Sequence, residues 1–541
     1  RTACEGRALA GARRLVSASP PFRLGDDWWR RGVVYQVYPR SFADGDGDGT
    51  GDLRGIIDHL DHLAADGLDV DAVWLSPIYP SPGRDIGYDV SDHAAIDPRF
   101  GTEEDFDRLV DEAHRRGIRV VLDLVMNHTS DEHPWFQASR RRQAPHADWY
   151  IWRDSAGLDA RGRPLPPNDW VSWFGGPAWT FDPVRGQWFH HTFLAEQPEL
   201  DWRVPEVEAA QWAMVRGWLA RGVDGFRLDA VKHYVEDGAE QENTQATLDW
   251  ANAFNRHVAE VKPGALTLGE IWSSSFDVAR YVPEAVSLAF EFDLATAMVS
   301  SVQGRNPGGV QSITERAQEL YPPGQYATFL TNHDQNRVMS DLRGDVPSAR
   351  VAASLLLLSP GVPFLYYGEE IGMMGVKPDE RIRTPMQWTS APLTAGFTTA
   401  DAPWQPLADE GLEFSIEAQT GDPDSLLSHY RALIHLRNSS PALRRGGWIE
   451  VSSESRRVYA FLRREGDEAL LIVINMDRRP TDDYALTIDA ALPTSIAAEA
   501  LYGLGTGVEL SQPVMNADGI IEAYSPLQEL PAHATLVIKL S

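Results

Sequence analysis

From about residue 30 the chain alternates short runs of β-branched and aromatic residues with longer stretches whose apolar positions recur every three or four residues. Eight runs read as strands: Val33–Tyr38, Val70–Leu75, Ile118–Val125, Val223–Leu228, Ala265–Leu268, Leu288–Phe292, Tyr326–Leu330 and Val362–Tyr367. They are apolar throughout rather than alternating, which is the pattern of strands covered on both faces. Between the second and third, Phe106, Leu109, Val110 and Ala113 make one helical stripe, with Thr102 placed to cap it and Gly117 to end it. That spacing predicts a helix over Thr102–Arg116. Strands separated by helical crossovers predict an α/β fold, a (β/α)8 TIM barrel.

Two segments interrupt the alternation. Residues 129–203, rich in Trp, Pro, Gly and Asp, follow the third strand, and 372–423 follow the eighth. Loops of this length usually carry function. Beyond 447 the pattern turns to strand–turn–strand, with a hairpin of Val458–Arg464 and Ala469–Asn475 and a last strand at Thr535–Leu540. The expected organisation is a leader or tag at 1–27 and a barrel at 28–128 and 204–446. A domain at 129–203 is inserted after strand 3, and a C-terminal antiparallel β-sandwich covers 447–541.

Charge narrows the partners. Seventy-eight acids against 49 bases give a net charge of −29 among the 541 residues, a field that repels nucleic acid and anionic membrane surfaces. The single cysteine, Cys4, excludes an intramolecular disulfide. No apolar run is long enough to cross a bilayer, and no secretory leader is recognisable, so the expectation is a cytoplasmic rather than a secreted protein. The 18 tryptophans are numerous enough to supply both core and flat platforms for sugar rings.

Chemistry in a barrel collects where its strands end. Here DLVMNH ends strand 3 with Asp123, Asn127 and His128, and GFRLDAV ends strand 4 with Arg227 and Asp229. LGEIW ends strand 5 with Glu270, and FLTNHD ends strand 7 with His333 and Asp334. One such acid is an ordinary strand cap. Several facing one mouth repel one another, and that is a cost retained for use. An ionised carboxylate whose charge Arg227 holds, beside a protonated one, is the apparatus of glycoside cleavage. No phosphate-binding glycine loop, Cys-x-x-Cys pair or nucleophile elbow competes, and no organic cofactor is expected.

These motifs, in this order, resemble the α-amylase superfamily of glycoside hydrolases over residues 28–541, in its oligo-1,6-glucosidase and α-glucosidase group. The resemblance implies Asp229 as nucleophile, Glu270 as general acid/base and Asp334 as transition-state stabiliser, with Arg227, His128 and His333 beside them. QPELDW at Gln197–Trp202 is similar to the group's marker, departing from it at two positions. In RDIGYDVSDH, Asp85 and Tyr88 match the group's pocket residues, and Arg431 in HYRALIHLR is matched to the arginine that closes the pocket with Asp85. Phe174 in WFGG and Phe193 in HTFL match aromatic pocket positions. Ala230, after the nucleophile, resembles enzymes of α-1,4 rather than α-1,6 preference. The implied activity is a retaining exo-α-glucosidase acting on small neutral oligosaccharides, with transglucosylation open. An endo-acting α-amylase or a dedicated transglucosidase shares the same acids, whereas a non-catalytic sugar-binding scaffold is disfavoured because all three acids are present.

DGDGDGTGD places Asp44, Asp46, Asp48 and Asp52 in one glycine-rich loop with the Thr50 carbonyl. Alternate acids of this kind wrap hard cations. Gly55 stands at the twelfth position, so the loop is not an EF-hand. The resemblance implies a structural Ca2+ there, remote from the chemistry.

Overall fold

The computed structural model describes residues 27–541 apart from 409–410, 493–495 and 506. The expected leader, with Cys4, therefore lies outside the described residues except for Asp27. Eight parallel strands form the centre: β1 (Val34–Val37), β2 (Ala72–Leu75), β3 (Arg119–Leu124), β4 (Gly225–Leu228), β5 (Leu266–Gly269), β6 (Leu288–Ala289), β7 (Ala327–Thr328) and β8 (Val362–Tyr366). Their order is β6-β5-β4-β3-β2-β1-β8-β7, and a parallel bridge from Phe290 to Ala327 joins the two ends into a closed barrel.

Every strand residue of β1–β5 and β8 is buried, which explains why the runs read as continuous apolar stretches. Alternate side chains divide between two cores. Val34, Trp74, Val121, Leu266, Leu268, Leu288, Phe329 and Phe364 fill the lumen. Tyr35, Val73, Leu75, Val120 and Leu122 face the helices. Trp28, whose indole donates to the Gly264 carbonyl at 3.2 Å, packs with the lumen at the foot of the barrel. β6 and β7 are shorter than their apolar runs, and at their ends Phe290, Phe292 and Phe329 pack on one another edge to face, at 5.3 Å for Phe290–Phe329 and 5.1 Å for Phe292–Phe329.

The stripe between β2 and β3 forms the helix Glu103–Arg115. The Thr102 hydroxyl accepts from the Asp105 N–H and the Asp105 carboxylate accepts from the Thr102 N–H, a reciprocal cap. Gly117, at φ +76°, makes the exit that other residues resist.

Residues that carry no period in the sequence still form a small antiparallel sheet between β3 and the helix Pro205–Ala220. It consists of Trp152–Arg153, Gln187–His190 and Trp179–Asp182. Its indoles serve mainly as packing: Trp149, Trp152 and Trp179 are buried. After β8 the chain runs through short turns and the helix Asp379–Ile382, then the long helix Leu426–Ser439 on the outer layer. The C-terminal strands form an antiparallel assembly with its own core, centred on the hairpin Val458–Glu465 and Glu468–Asn475. Among the described residues, no helix is long and apolar enough to cross a membrane.

Candidate active site

The ends of β3, β4, β5 and β7 open into one cavity of about 380 Å3. At its floor a single guanidinium meets three carboxylates. Arg227 Nη1 donates to Asp123 Oδ1 and Asp229 Oδ1, both at 2.7 Å, and Nη2 lies 2.8 Å from Glu270 Oε2. Arg227 and Asp229 share a face of β4 because they are two residues apart. After Asp229 the chain turns sharply. Ala230 takes a left-handed conformation (φ 49°, ψ 34°), and its N–H donates to Glu270 Oε2 at 3.2 Å.

One positive charge cannot balance three acids. Burial, opposed by Arg227 and reinforced by Glu270, Asp123 and Asp334, raises Asp229 well above the usual carboxylate range. Burial likewise lifts Asp123 to about 6. Arg227, 2.7 Å from Asp229, lowers its proton affinity as its position beside the acid suggests, while burial and the neighbouring acids raise it, so the charge of Asp229 depends on the whole surrounding cluster. Arg227 is pulled down by burial but driven well above its ordinary value by the acids, so it stays charged.

Asp334 behaves oppositely. Burial raises it, but His333, Arg383 and Arg227 outweigh that and hold it below the carboxylate range. His333 Nε2 lies 3.2 Å from Asp334 Oδ2 and Arg383 Nη2 2.9 Å from Asp334 Oδ1. Gln36 donates to His333 Nδ1 at 2.8 Å, which leaves the ring proton on Nε2, facing Asp334 and the Tyr88 hydroxyl at 2.5 Å. Tyr88 in turn donates to Asp123 Oδ2 at 3.0 Å. Burial depresses His333 to about 3 and His128 to about 4, so both rings are neutral at working pH.

Asp85 reaches the same cavity from the loop after β2. Gln197 Nε2 donates to Asp85 Oδ2 at 2.8 Å and lies 3.0 Å from His128 Nε2. The other marker residues hold this link in place: Glu199 lies 2.7 Å from His190 Nδ1 and accepts from Asn127 Nδ2 at 3.1 Å. Burial, opposed by the Gln197 bond and reinforced by Asp334, pushes Asp85 up to about 6. Its ionisation therefore costs the folded protein stability above that pH, and the cost fades as pH falls through about 6. Asp85→Asn is expected to raise the melting temperature at about pH 7.5, by on the order of 2 kcal/mol of stability, with the gain vanishing near about pH 3, below the unfolded carboxylate range. Melting curves at both pH values check this.

Phe174 and Phe193 line the cavity with their rings 5.6 Å apart, and Phe193 lies 5.4 Å from His128. Arg431 does not line it. It sits half-buried on the outer helix Leu426–Ser439, where Glu370 is its acidic neighbour. The cavity's arginine is Arg383, which follows β8 in ERIRTPMQW. It is 2% exposed, bonded to Asp334, to Asp379 at 3.0 Å and to the His333 carbonyl at 2.8 Å. A helix this late belongs to the outer layer, whereas the segment directly after a barrel strand rises over the mouth. Position along the chain was thus the available signal. Lys232, His233, Trp173, Trp272, Lys377 and Asp379 complete the lining, and none was expected from sequence.

In the acidic loop, carboxylate oxygens of Asp44, Asp46 and Asp48 come within 4.8 Å of one another, and the Thr50 N–H donates to Asp48 Oδ1 at 2.7 Å. Asp52 stands outside that group. Its carboxylate accepts from the N–H groups of Gly45, Asp46 and Gly55 and caps the helix Leu53–Asp58. The loop is clasped by the segment after β8: Asp44 N–H donates to the Phe397 carbonyl at 2.9 Å, Trp404 N–H to the Gly49 carbonyl at 2.7 Å, and the Thr398 hydroxyl to Asp44.

A closed barrel with this carboxylate cluster at its mouth matches known proteins along nearly its whole length. Residues 36–446 match the alpha amylase catalytic domain, and 448–541 the alpha amylase C-terminal all-beta domain. The chain belongs to the α-amylase family of glycoside hydrolases. Among its relatives, a probable alpha-glucosidase of Rhizobium meliloti (strain 1021) is 37% identical over 509 residues, covering 83% of this chain and 89% of that protein. An oligo-1,6-glucosidase of Heyndrickxia coagulans is 34% identical over 540 residues, covering 85% and 95%. The crystal structure of an alpha-amylase from H. orenii superposes with a TM-score of 0.78 at 34% identity, covering 95% of this chain and all of that one (100%). This family member carries its acids at strand ends, where the rigid barrel fixes their spacing.

Proposed function

We propose that this glycoside hydrolase is a retaining, exo-acting α-glucosidase that removes single glucose units from the non-reducing ends of short neutral α-glucosides, α-1,4 bonds preferred. The observation that carries the reading is the polar inner end of the cavity. There Asp85, held from behind by Gln197, and His128 stand with Asp334 and Arg383 beside the Arg227 cluster, a wall of hydroxyl-binding groups with space for a terminal sugar. Asp229 attacks the anomeric carbon while Glu270 protonates the departing oxygen; Glu270 then takes a proton from water, which releases α-glucose. Both acids are held by the two ends of one guanidinium, in keeping with the close pair, about 5–5.5 Å, that retention requires. Asp334, held ionised, opposes the positive charge that builds on the ring.

Product analysis on maltose, isomaltose, sucrose and starch tests this. Glucose alone from the short substrates, with starch poorly used, is the expected result; maltose and longer products from starch would point to an endo-acting amylase. Ala230 carries the linkage reading. Its methyl group stands beside the nucleophile, so Ala230→Val is expected to raise the isomaltose-to-maltose rate ratio.

The acidic loop fits a hard divalent cation: three clustered carboxylates of one sign are held together by backbone donors, and oxygen is the ligand Ca2+ takes. Asp44, Asp46 and Asp48, with the Thr50 carbonyl, would hold Ca2+, which would offset their repulsion. The clasp ties this loop to the chain that presents Arg383. Chelation is therefore expected to lower the melting temperature and raise KM, both restored by added Ca2+; unchanged values in both would exclude the role.

A further inference from the structure

A second cavity, of about 400 Å3, shares no lining residue with the active site. Its walls are the loop at 91–94 after β2, the start of the helix Pro134–Ser139, and one face of the helix Pro205–Ala220. Gln211, Met214 and Trp218 lie on that face, three and four residues apart. Three polar atoms in these walls have no hydrogen-bond partner among the described residues: Oε1 and Nε2 of Gln211, and Nδ1 of His93. The two residues are 0% and 4% exposed. A buried amide with neither atom paired is destabilising, so its presence calls for a use.

The chemistry of these atoms defines what they would bind. His93 Nε2 lies 2.7 Å from the Val125 carbonyl, which can only accept, so Nε2 holds the ring proton and Nδ1 presents a bare lone pair. Trp218 Nε1 donates to the His93 carbonyl at 2.9 Å and ties that loop to the helix. Gln211 thus calls for one donor and one acceptor, and His93 for one donor. The ligand is uncharged. Arg221 is committed to Glu103 and Asp107, both at 2.9 Å, exposed Asp92 repels anions, and burial depresses His93 to about 4, which leaves it neutral at working pH.

A hydroxyl is an uncharged group that donates and accepts at once. Two of them on neighbouring carbons match both atoms of one amide, and half-buried Trp135 and Met214 offer apolar surface to the C–H face of a ring. Met214, unbranched and one turn from Gln211, is the side chain that gives way as the ring reaches the amide. We propose that this cavity is a second binding site, for a neutral sugar bearing a vicinal diol. The site does not depend on which glycosidic bond the catalytic acids cleave.

The test titrates the full chain with glucose and follows amide hydrogen exchange. Glucose is expected to slow exchange in both walls, Pro134–Ser139 and Pro205–Ala220. Gln211→Leu and Trp135→Ala should each raise the glucose concentration for half-protection by roughly five-fold or more. Both should leave kcat/KM on p-nitrophenyl α-glucoside within about two-fold, because neither residue lines the active site. No protection of either wall, or an unchanged half-point in both variants, would overturn the proposal. So would equal protection by 1-butanol, which has no diol, or a loss of hydrolysis in step with the loss of protection.

Discussion

Asp229→Asn is expected to abolish turnover of every substrate, with kcat falling by about four orders of magnitude or more. The amide keeps the shape of the carboxylate and accepts from Arg227, yet it cannot form the glucosyl ester. Glu270→Gln should fail differently. It leaves the nucleophile intact and removes only the proton donor, a loss of about 10^2–10^4 for an alkyl leaving group. A p-nitrophenyl leaving group needs little protonation, so Glu270→Gln should form the glucosyl intermediate from p-nitrophenyl α-glucoside and show a burst of nitrophenol. Steady-state and burst kinetics on maltose and the aryl substrate separate the two roles. Ordinary activity in Asp229→Asn would remove the mechanism altogether.

The second large effect is expected at Arg383. This buried guanidinium joins Asp334, Asp379 and the His333 carbonyl, and Burial opposed by neighbouring acids leaves it charged. Its removal strands Asp334 without its main cation, lets the segment after β8 shift, and raises Asp334 toward protonation. Arg383→Ala should lower kcat/KM by about 10^2 or more, in line with the cost of leaving a buried charge unpaired. Arg431→Ala should change kcat/KM less than about two-fold, because Arg431 lies on the outer helix Leu426–Ser439 and does not line the cavity. Equal losses in the two variants would mean that Arg431 acts on the site from the outer helix.

The contrast between these arginines shows what was readable. The strands were legible because each is buried on both faces, so apolar character persists along the whole run. The acids Asp229, Glu270 and Asp334 were legible because they directly follow such runs, and position relative to a barrel strand fixes where a side chain emerges. Arg383 follows a strand too, but lies in a segment without period, and no local pattern says which of its charges folds inward. Arg431 sat in a clean helical pattern, which reports an amphipathic surface and nothing about distance from a cavity. Asp52 looked equivalent to Asp44, Asp46 and Asp48 in the loop, and only the structure shows that it also caps the helix Leu53–Asp58.

The sequence by itself determined the barrel, the C-terminal β assembly, the family and the acids at the strand ends, since each depends on local periodicity, on motif order or on residues that follow a strand. Only the tertiary structure decided how those acids share charge. Asp123, Asp229 and Glu270 come from three different strands and meet at Arg227, and the proton affinities of Asp123 and Asp229 follow from distance and burial rather than from neighbours in the chain. The tertiary structure likewise separated the tryptophans that fill cores from Trp173 and Trp272, which face the cavity. An indole in a sequence is equally suited to either place, and its exposure is settled by what packs against it.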